Sequence, residues 1–367
     1  MTDLLVVGAG FAGLSCAKAA ATLGLDTRVI DRKPEPGAAP HTTGILVHEV
    51  ADEIDVPRPL VRKIDRVRLY SPRLRWVDLA APGYSFYATD TPGLMRWLAR
   101  ETEGAGATIE SGVRFRGAEV VASGWRVSER SARYLVGADG ARSRVAASLG
   151  LGINERFLFG VEAEYVGLDT GEDRLHVFLD AELAPGYIAW VVPGVETVQV
   201  GLAGRRGNRP QLERFVAKIA PLFNFSNARV VGHRAGLIPV GGVVRPNSRP
   251  GALLVGDAAG QVSPMTAGGI HNAIRLGRLA GRSVASHLLD GGPDPAVILQ
   301  RDLPSFAWKS RLRVAFERAG NDQLIEKVFF STPFLALARL VFFHNRGLLT
   351  AEGWRELWAP AHDPVLA

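Results

Sequence analysis

The stretch Gly8-Ala9-Gly10-Phe11-Ala12-Gly13 constrains this chain most, because of what flanks it. Residues 4–7 (LLVV) form a short apolar strand before it, and a helix-like segment from Leu14 to about Leu23 follows. A second strand, residues 28–30, then ends on Asp31. Gly8 permits the tight turn, Gly10 lets backbone amides approach a pyrophosphate, and Gly13 lets the helix pack close to the strand. The helix start, with unpaired amides and a positive dipole end, faces the phosphates. Asp31 lies 23 residues beyond Gly8, where an acid accepts hydrogen bonds from an adenosine ribose and repels a 2′-phosphate. The expected nucleotide is FAD or NAD rather than NADP, with Arg32 counted in the same site.

Two further clusters carry an acid beside glycine. Residues 134–149, YLVGADGARSRVAASL, read as a strand, then Asp139-Gly140, then a helix opened by Ser143 and Arg144. Residues 256–270, GDAAGQVSPMTAGGI, follow the apolar run 252–255 and lead into helical periodicity. An unpartnered carboxylate at the end of a buried strand is costly, so Asp257 is expected to hold something.

The trio GAGFAG, ADGARS and GDAAG resembles the FAD-binding framework of the para-hydroxybenzoate hydroxylase fold, from Leu4 to about Leu289. Aromatic monooxygenases, flavin halogenases and geranylgeranyl reductases share that framework. The resemblance implies an α/β architecture: a discontinuous Rossmann-type FAD-binding domain from residues 1–65, 90–150 and 245–290. An inserted antiparallel β-sheet substrate domain would take residues 66–89 and 151–244, and a helical C-terminus residues 291–367. It further implies that Asp257, after Gly256, bonds a ribityl hydroxyl of FAD, with Ala258 and Ala259 small because the cofactor passes against them. Pro264 would stiffen the loop, and Gly268 and Gly269 would bring amides to the isoalloxazine. A helix from Ile270 would aim its positive end at the N1/C2 carbonyl locus, where charge accumulates on reduction.

Within the fold, Ser263-Pro264-Met265-Thr266 and Gly269-Ile270 resemble the reductase run Asn-Pro-Leu-Thr-Gly-x-Gly-Ile, continued in Ala273 and Gly277. Residues 185–204 resemble the reductases' Tyr-x-Trp-x-Phe-Pro signature: Trp190 and Pro193 match, Val192 replaces Phe, and Tyr187 is one place away. Thr42 stands in the loop where reductases often carry Cys, Asp90-Thr91 replaces an Asp-Arg pair, and Ala146 replaces an Arg. The implied activity is flavin-mediated reduction of an unsaturated, prenyl-like apolar substrate. With no second dinucleotide fold, NADH or NADPH would bind transiently as electron donor. An FAD monooxygenase that hydroxylates or epoxidises is the alternative, and a flavin halogenase or electron-transfer flavoprotein the third reading. Tyr187, Trp190, His271 and His41 are the catalytic candidates, with Tyr84 and Tyr87 as further possible proton donors.

Composition narrows the partners. The net charge is +6, but the positive charge is nearly all arginine spread without a basic block, so nucleic acid is not expected. The lone Cys16 offers neither a disulfide nor a zinc site, and fits a cytoplasmic setting without a metal. The apolar N-terminus lacks the basic start of a signal peptide, and no run of about 18 apolar residues suggests a membrane span. Residues 306–318 and 328–343 are apolar helical stretches, the first laced with arginine. They suit ordinary packing, or else a flank that meets a membrane surface or lines a tunnel for a lipid tail.

Overall fold

A computed structural model describes residues 1–205, 207, 210–318, 321–343, 350, 354, 355, 357 and 358. Its first elements are β1 (Thr2–Val7), α1 (Phe11–Thr22), β2 (Thr27–Asp31), β3 (Ile45–Leu46), β4 (Val61–Ile64), β5 (Val67–Tyr70), β6 (Trp76–Leu79), β7 (Phe86–Thr89) and α2 (Thr91–Gly104). There follow β8 (Thr108–Ser111), β9 (Glu119–Val121), β10 (Gly124–Val127), β11 (Arg130–Gly137), α3 (Arg144–Leu149), β12 (Phe157–Val166), β13 (Leu175–Phe178), β14 (Ala189–Pro193), β15 (Val198–Arg205) and α4 (Leu212–Ile219). The last are β16 (Arg229–Pro239), β17 (Ser248–Arg249), β18 (Ala252–Leu254), α5 (Ile270–Asp290), α6 (Pro295–Asp302), α7 (Ala307–Arg318), α8 (Asp322–Val328) and α9 (Thr332–Phe343).

The first sheet runs β17-β18-β11-β1-β2-β8, and a β9–β10 hairpin joins β11. Its central pairs are parallel, so β1 must be apolar on both faces. Leu4 and Val6 face one core, which they share with α1 and α5, while Leu5 and Val7 face another, shared with Val145 and Leu149 of α3. Helix α1 starts at Phe11, with Gly10 as its N-cap, three residues before the start read from the sequence.

Helices α1 and α5 touch backbone to backbone. A Cβ on Gly281 would lie 2.1 Å from the Cys16 carbonyl, and one on Gly277 would lie 2.4 Å from that of Ala12. Only glycine allows this approach, which sets the turn before α5 beside the turn before α1.

The second sheet runs β16-β12-β15-β14-β13-β5-β6. It is antiparallel except between β13 and β5, so the expectation of a purely antiparallel sheet is corrected at that one pair. Alternation along its strands separates two faces. Phe178, Val191 and Val200 pack on Phe215 and Ile219 of the amphipathic α4, while Leu175, Val177, Trp190 and Val192 face the opposite way.

Strand β7 pairs with β3 and β4 in a small third sheet. Part of the 66–89 stretch therefore joins strands from residues 1–65 instead of the second sheet. In the C-terminal segment, Phe343 packs edge-on against Tyr84, and Phe329, Leu335 and Phe343 are fully buried. Each such side chain contributes about 1.5–3 kcal/mol of burial. The rest of the expected 291–367 helical segment beyond Phe343, residues 350, 354, 355, 357 and 358 aside, lies outside the described residues. Among the described residues, no helix is long and apolar enough to cross a membrane, and no cluster of His, Cys, Asp or Glu is placed to hold a metal.

The α1–α5 contact yields a test. Gly281→Val forces a branched side chain into the Cys16 carbonyl and should cost about 1–3 kcal/mol, as overpacked cores do. A lower urea midpoint at unchanged m-value checks it.

Candidate functional site

The turns after β1, β11 and β18 converge on a cavity of about 1010 Å³. Gly8, Gly10, Phe11, Ala12, Asp31 and Arg32 line it, as do Asp139 and Gly140, and Asp257 with Gly268, Gly269 and Ile270. The second sheet supplies a wall that includes Val177, Trp190, Glu162 and Arg234. The remaining wall is greasy: Leu312 and Phe316 of α7 with Phe334, Leu337 and Val341 of α9. The two C-terminal stretches thus line the chamber.

The polar floor is built by acids in three different states. Asp31 accepts from the Ala9 amide at 2.6 Å and the Lys33 amide at 2.7 Å, which pins the glycine turn and leaves each oxygen a lone pair. Asp139 is committed to its own loop. It accepts from Ser143 Oγ at 2.6 Å and from the amides of Arg144 at 2.6 Å and Val145 at 3.2 Å, at the start of α3. Asp257, in a 3₁₀ turn, is different: among the described residues none donates to its carboxylate. Burial pushes its pKa up to about 6.

Helix α5 begins beside that acid with no side-chain cap, and a Cβ on Gly269 would lie 3.3 Å from Asp257 Oδ1. Unpaired amides and an unpaired carboxylate therefore share one corner. This corner suits a ligand with hydroxyl donors on one part and carbonyl acceptors on the next. The ribityl chain and ring of FAD have that chemistry.

Several expected positions do other work. Gly13 is absent from the lining; its Cβ would fall 1.8 Å from the Gly8 carbonyl, so it closes α1 onto the turn. Gly256 sits at φ +64°, and its Cβ would reach 2.7 Å from that of Ala12. Ala258 and Ala259 are buried and do not line the cavity, so core packing, not a passing cofactor, limits their size. Pro264 is also off the lining, and its carbonyl accepts from Arg313 Nη1 at 3.3 Å. His271 is off it too, with Nε2 4.0 Å from Glu53 Oε1. Tyr84 donates to Glu49 at 3.1 Å within the core, and Tyr87 lies outside the main cavity.

Tyr187, Trp190 and His41 do line the cavity. The Tyr187 hydroxyl donates to the Thr266 carbonyl at 2.5 Å, and burial raises its pKa. His41 Nδ1 lies 3.0 Å from the Ala235 carbonyl, and partial burial lowers its pKa. Trp190 donates from Nε1 to Glu162 Oε2 at 3.2 Å.

Sequence reasoning missed Glu162, Thr43, Arg234 and Arg313. The available signals were an acid at an inward position of the apolar strand FLFGVEAEYV and an arginine, Arg313, amid apolar helix positions. Arg313 is 2% exposed, bonds Glu317 at 2.7 Å and stacks over Tyr187, tying α7 to the loop before α5.

Comparison with known proteins agrees with this geometry. Residues 92–295 match the family described as FAD binding domain, and residues 3–87 that described as FAD dependent oxidoreductase. A digeranylgeranylglycerophospholipid reductase of Methanopyrus kandleri is 32% identical over 329 residues, covering 82% of this chain and 80% of its own. A digeranylgeranylglycerophospholipid reductase of Methanosarcina acetivorans is 31% identical, covering 79% of this chain and 76% of its own. A crystal structure of a geranylgeranyl bacteriochlorophyll reductase-like protein from Thermoplasma acidophilum shares the fold with a TM-score of 0.81. It is 22% identical and covers 100% of this chain and 97% of that one.

Asp257 gives a pH test. Its folded pKa of about 6 exceeds the unfolded value of roughly 3.9, so its contribution to stability is present below pH ~4 and lost as pH rises through ~6. In the apoprotein, Asp257→Asn should therefore gain stability over wild type between those values, on the order of 2 kcal/mol. Paired denaturation curves at pH 4.5 and 7 measure the difference.

Proposed function

This chain belongs to the FAD-dependent oxidoreductases, in their geranylgeranyl reductase branch, and from that premise we propose that it reduces carbon–carbon double bonds in an apolar, prenyl-like substrate. The observation that carries the reading is the single chamber, with the nucleotide-type turns at one end and the apolar faces of α7 and α9 at the other. A cofactor and a lipid tail can meet in it. The relatives named as reductases support this reaction over oxygen insertion or halogenation.

FAD would lie along the floor. Amides of Gly10, Phe11 and Ala12 would face its pyrophosphate and Asp31 its ribose, with Arg32 alongside. Asp257 would take a ribityl hydroxyl, while Gly268, Gly269 and Ile270 meet the ring and Asp139 shapes the loop of Gly140. Reduced FAD supplies a hydride to the substrate, while the protein supplies orientation, water exclusion and protons.

The first sheet with its helices acts as the nucleotide unit and the second sheet as the substrate unit. NADH or NADPH delivers electrons transiently. Leu337, 38% exposed, belongs to both the surface and the cavity lining. Lipid enters there, with α7 and α9 resting on a cytoplasmic membrane face.

The FAD-reconstituted protein, reduced anaerobically with NADH, NADPH or dithionite and mixed with geranylgeranyl lipids, should reoxidise as the lipid gains two hydrogens per double bond. Flavin oxidation that requires oxygen and yields a hydroxylated product would overturn the reading. Asp257→Ala should weaken FAD binding about 10-fold or more, the effect of losing a charged hydrogen-bond acceptor, in a fluorescence titration.

A further inference from the structure

One transverse row of the second sheet brings an arginine, an acid, a glycine and a tryptophan together. Strand register places Arg234 of β16 opposite Glu162 of β12, Glu162 opposite Gly201 of β15, and Gly201 opposite Trp190 of β14. A Cβ on Gly201 would lie 2.6 Å from that of Glu162 and 2.7 Å from the Trp190 ring. The missing side chain is what lets the indole reach across β15 to the carboxyl. Glu162 is 3% exposed, and its Oε2 also pairs with Thr43 Oγ1 at 2.7 Å. Thr43, Glu162, Trp190 and Arg234 all line the chamber.

The nearby arginine does not serve as a dedicated counter-ion. Arg234 directs Nη2 to Glu164 and Nη1 to the Thr42 carbonyl at 2.8 Å and Thr91 Oγ1 at 3.3 Å. Its Nε stands 3.6 Å from Glu162 Oε1, and both of those atoms are buried without a hydrogen-bond partner. A buried carboxyl in that position is cheapest to keep as the neutral acid. Burial raises its pKa; the Thr43 and Trp190 bonds and the charge of Arg234 lower it, and Glu164 raises it. Once neutral, Glu162 can donate to Thr43 across the same 2.7 Å contact, which frees the Thr43 hydroxyl hydrogen for the chamber.

We propose that Glu162, acting through Thr43, supplies the proton that completes reduction of the substrate double bond. This rests on the prenyl reductase reading. The Glu162 O–H bond breaks as its proton passes to Thr43 Oγ1, and the Thr43 O–H bond breaks as that proton passes to one alkene carbon. The π pair becomes the new C–H bond, and the other carbon takes a hydride from the two-electron reduced flavin. The carboxylate left behind is held by Trp190, Thr43 and Arg234, then takes a proton from water before the next turnover. Atoms and electrons balance as one alkene, one hydride and one proton giving one saturated bond.

The test uses the FAD-loaded protein with geranylgeranyl lipid, and infrared spectra of the protein without lipid. Wild type should show a protonated-carboxyl band at neutral pH that Glu162→Gln removes. Glu162→Gln and Thr43→Val should each lower kcat about 100-fold or more, the usual contribution of a positioned acid, with KM nearly constant. Thr43→Ser should retain most of the rate. The wild-type rate should fall as pH rises through the Glu162 pKa, and that limb should be missing in Glu162→Gln.

Thr43→Val keeps the carboxyl buried, so it reports even if Glu162→Gln misfolds. A band untouched by Glu162→Gln, or full activity in either variant beside an active wild type, overturns the role of Glu162 alone. No lipid reduction by wild type overturns the reductase reading, and this inference with it.

Discussion

The closeness of α1 and α5 underlies the rest of the molecule. With Gly277 and Gly281 against the carbonyls of Ala12 and Cys16, the two helices lie nearer than side chains would permit. Their N-terminal ends are thereby held near each other at the carboxyl ends of interior strands of the first sheet. Each end is preceded by a turn that leaves amides unpaired, and a cluster separated by some 250 residues of chain becomes one surface. Gly256 extends the same logic, since its missing side chain leaves room for Ala12. The chamber floor is therefore a by-product of helix packing, and a ligand that bridges both helix starts would stabilise that packing in return.

Charge is distributed along the chamber by how far each acid is satisfied. Asp139 is spent on its own loop and Asp31 is half spent on the glycine turn, while Asp257 faces the cavity and Glu162 takes bonds from Thr43 and Trp190 beside the charge of Arg234. An acid without donors in a buried place holds its proton more tightly. The same residue type can thus brace a loop, pin a turn or face a cavity, and the surrounding donors decide how firmly it holds a proton.

The sequence revealed the parts of this arrangement that are local. A strand, a glycine turn and a helix start are neighbours in the chain, so Gly8, Asp139 and Asp257 announced themselves. The start of α1 was misjudged because Phe11 and Ala12, read as part of the turn, already carry helical geometry after Gly10. Ala258 and Ala259 were assigned to the cofactor because smallness looks the same whether a ligand or a core enforces it. Glu162, Arg234 and Trp190 went unconnected for a different reason. They meet only through the register of strands separated by tens of residues, and no local pattern records which residue of β16 lies opposite which residue of β12. The position of β7 was obscured likewise, since a four-residue apolar run does not state which sheet it will join.

The groove that Gly201 leaves in β15 has a thermodynamic meaning for the wall above it. The indole of Trp190 lies in that groove with its nitrogen anchored, so its rotamer freedom is already gone before any guest arrives. An apolar guest in the chamber would meet a flat, rigid plate and would not need to freeze a large aromatic side chain as it docked. The ordering cost was met during folding, and contact with the plate is correspondingly tighter.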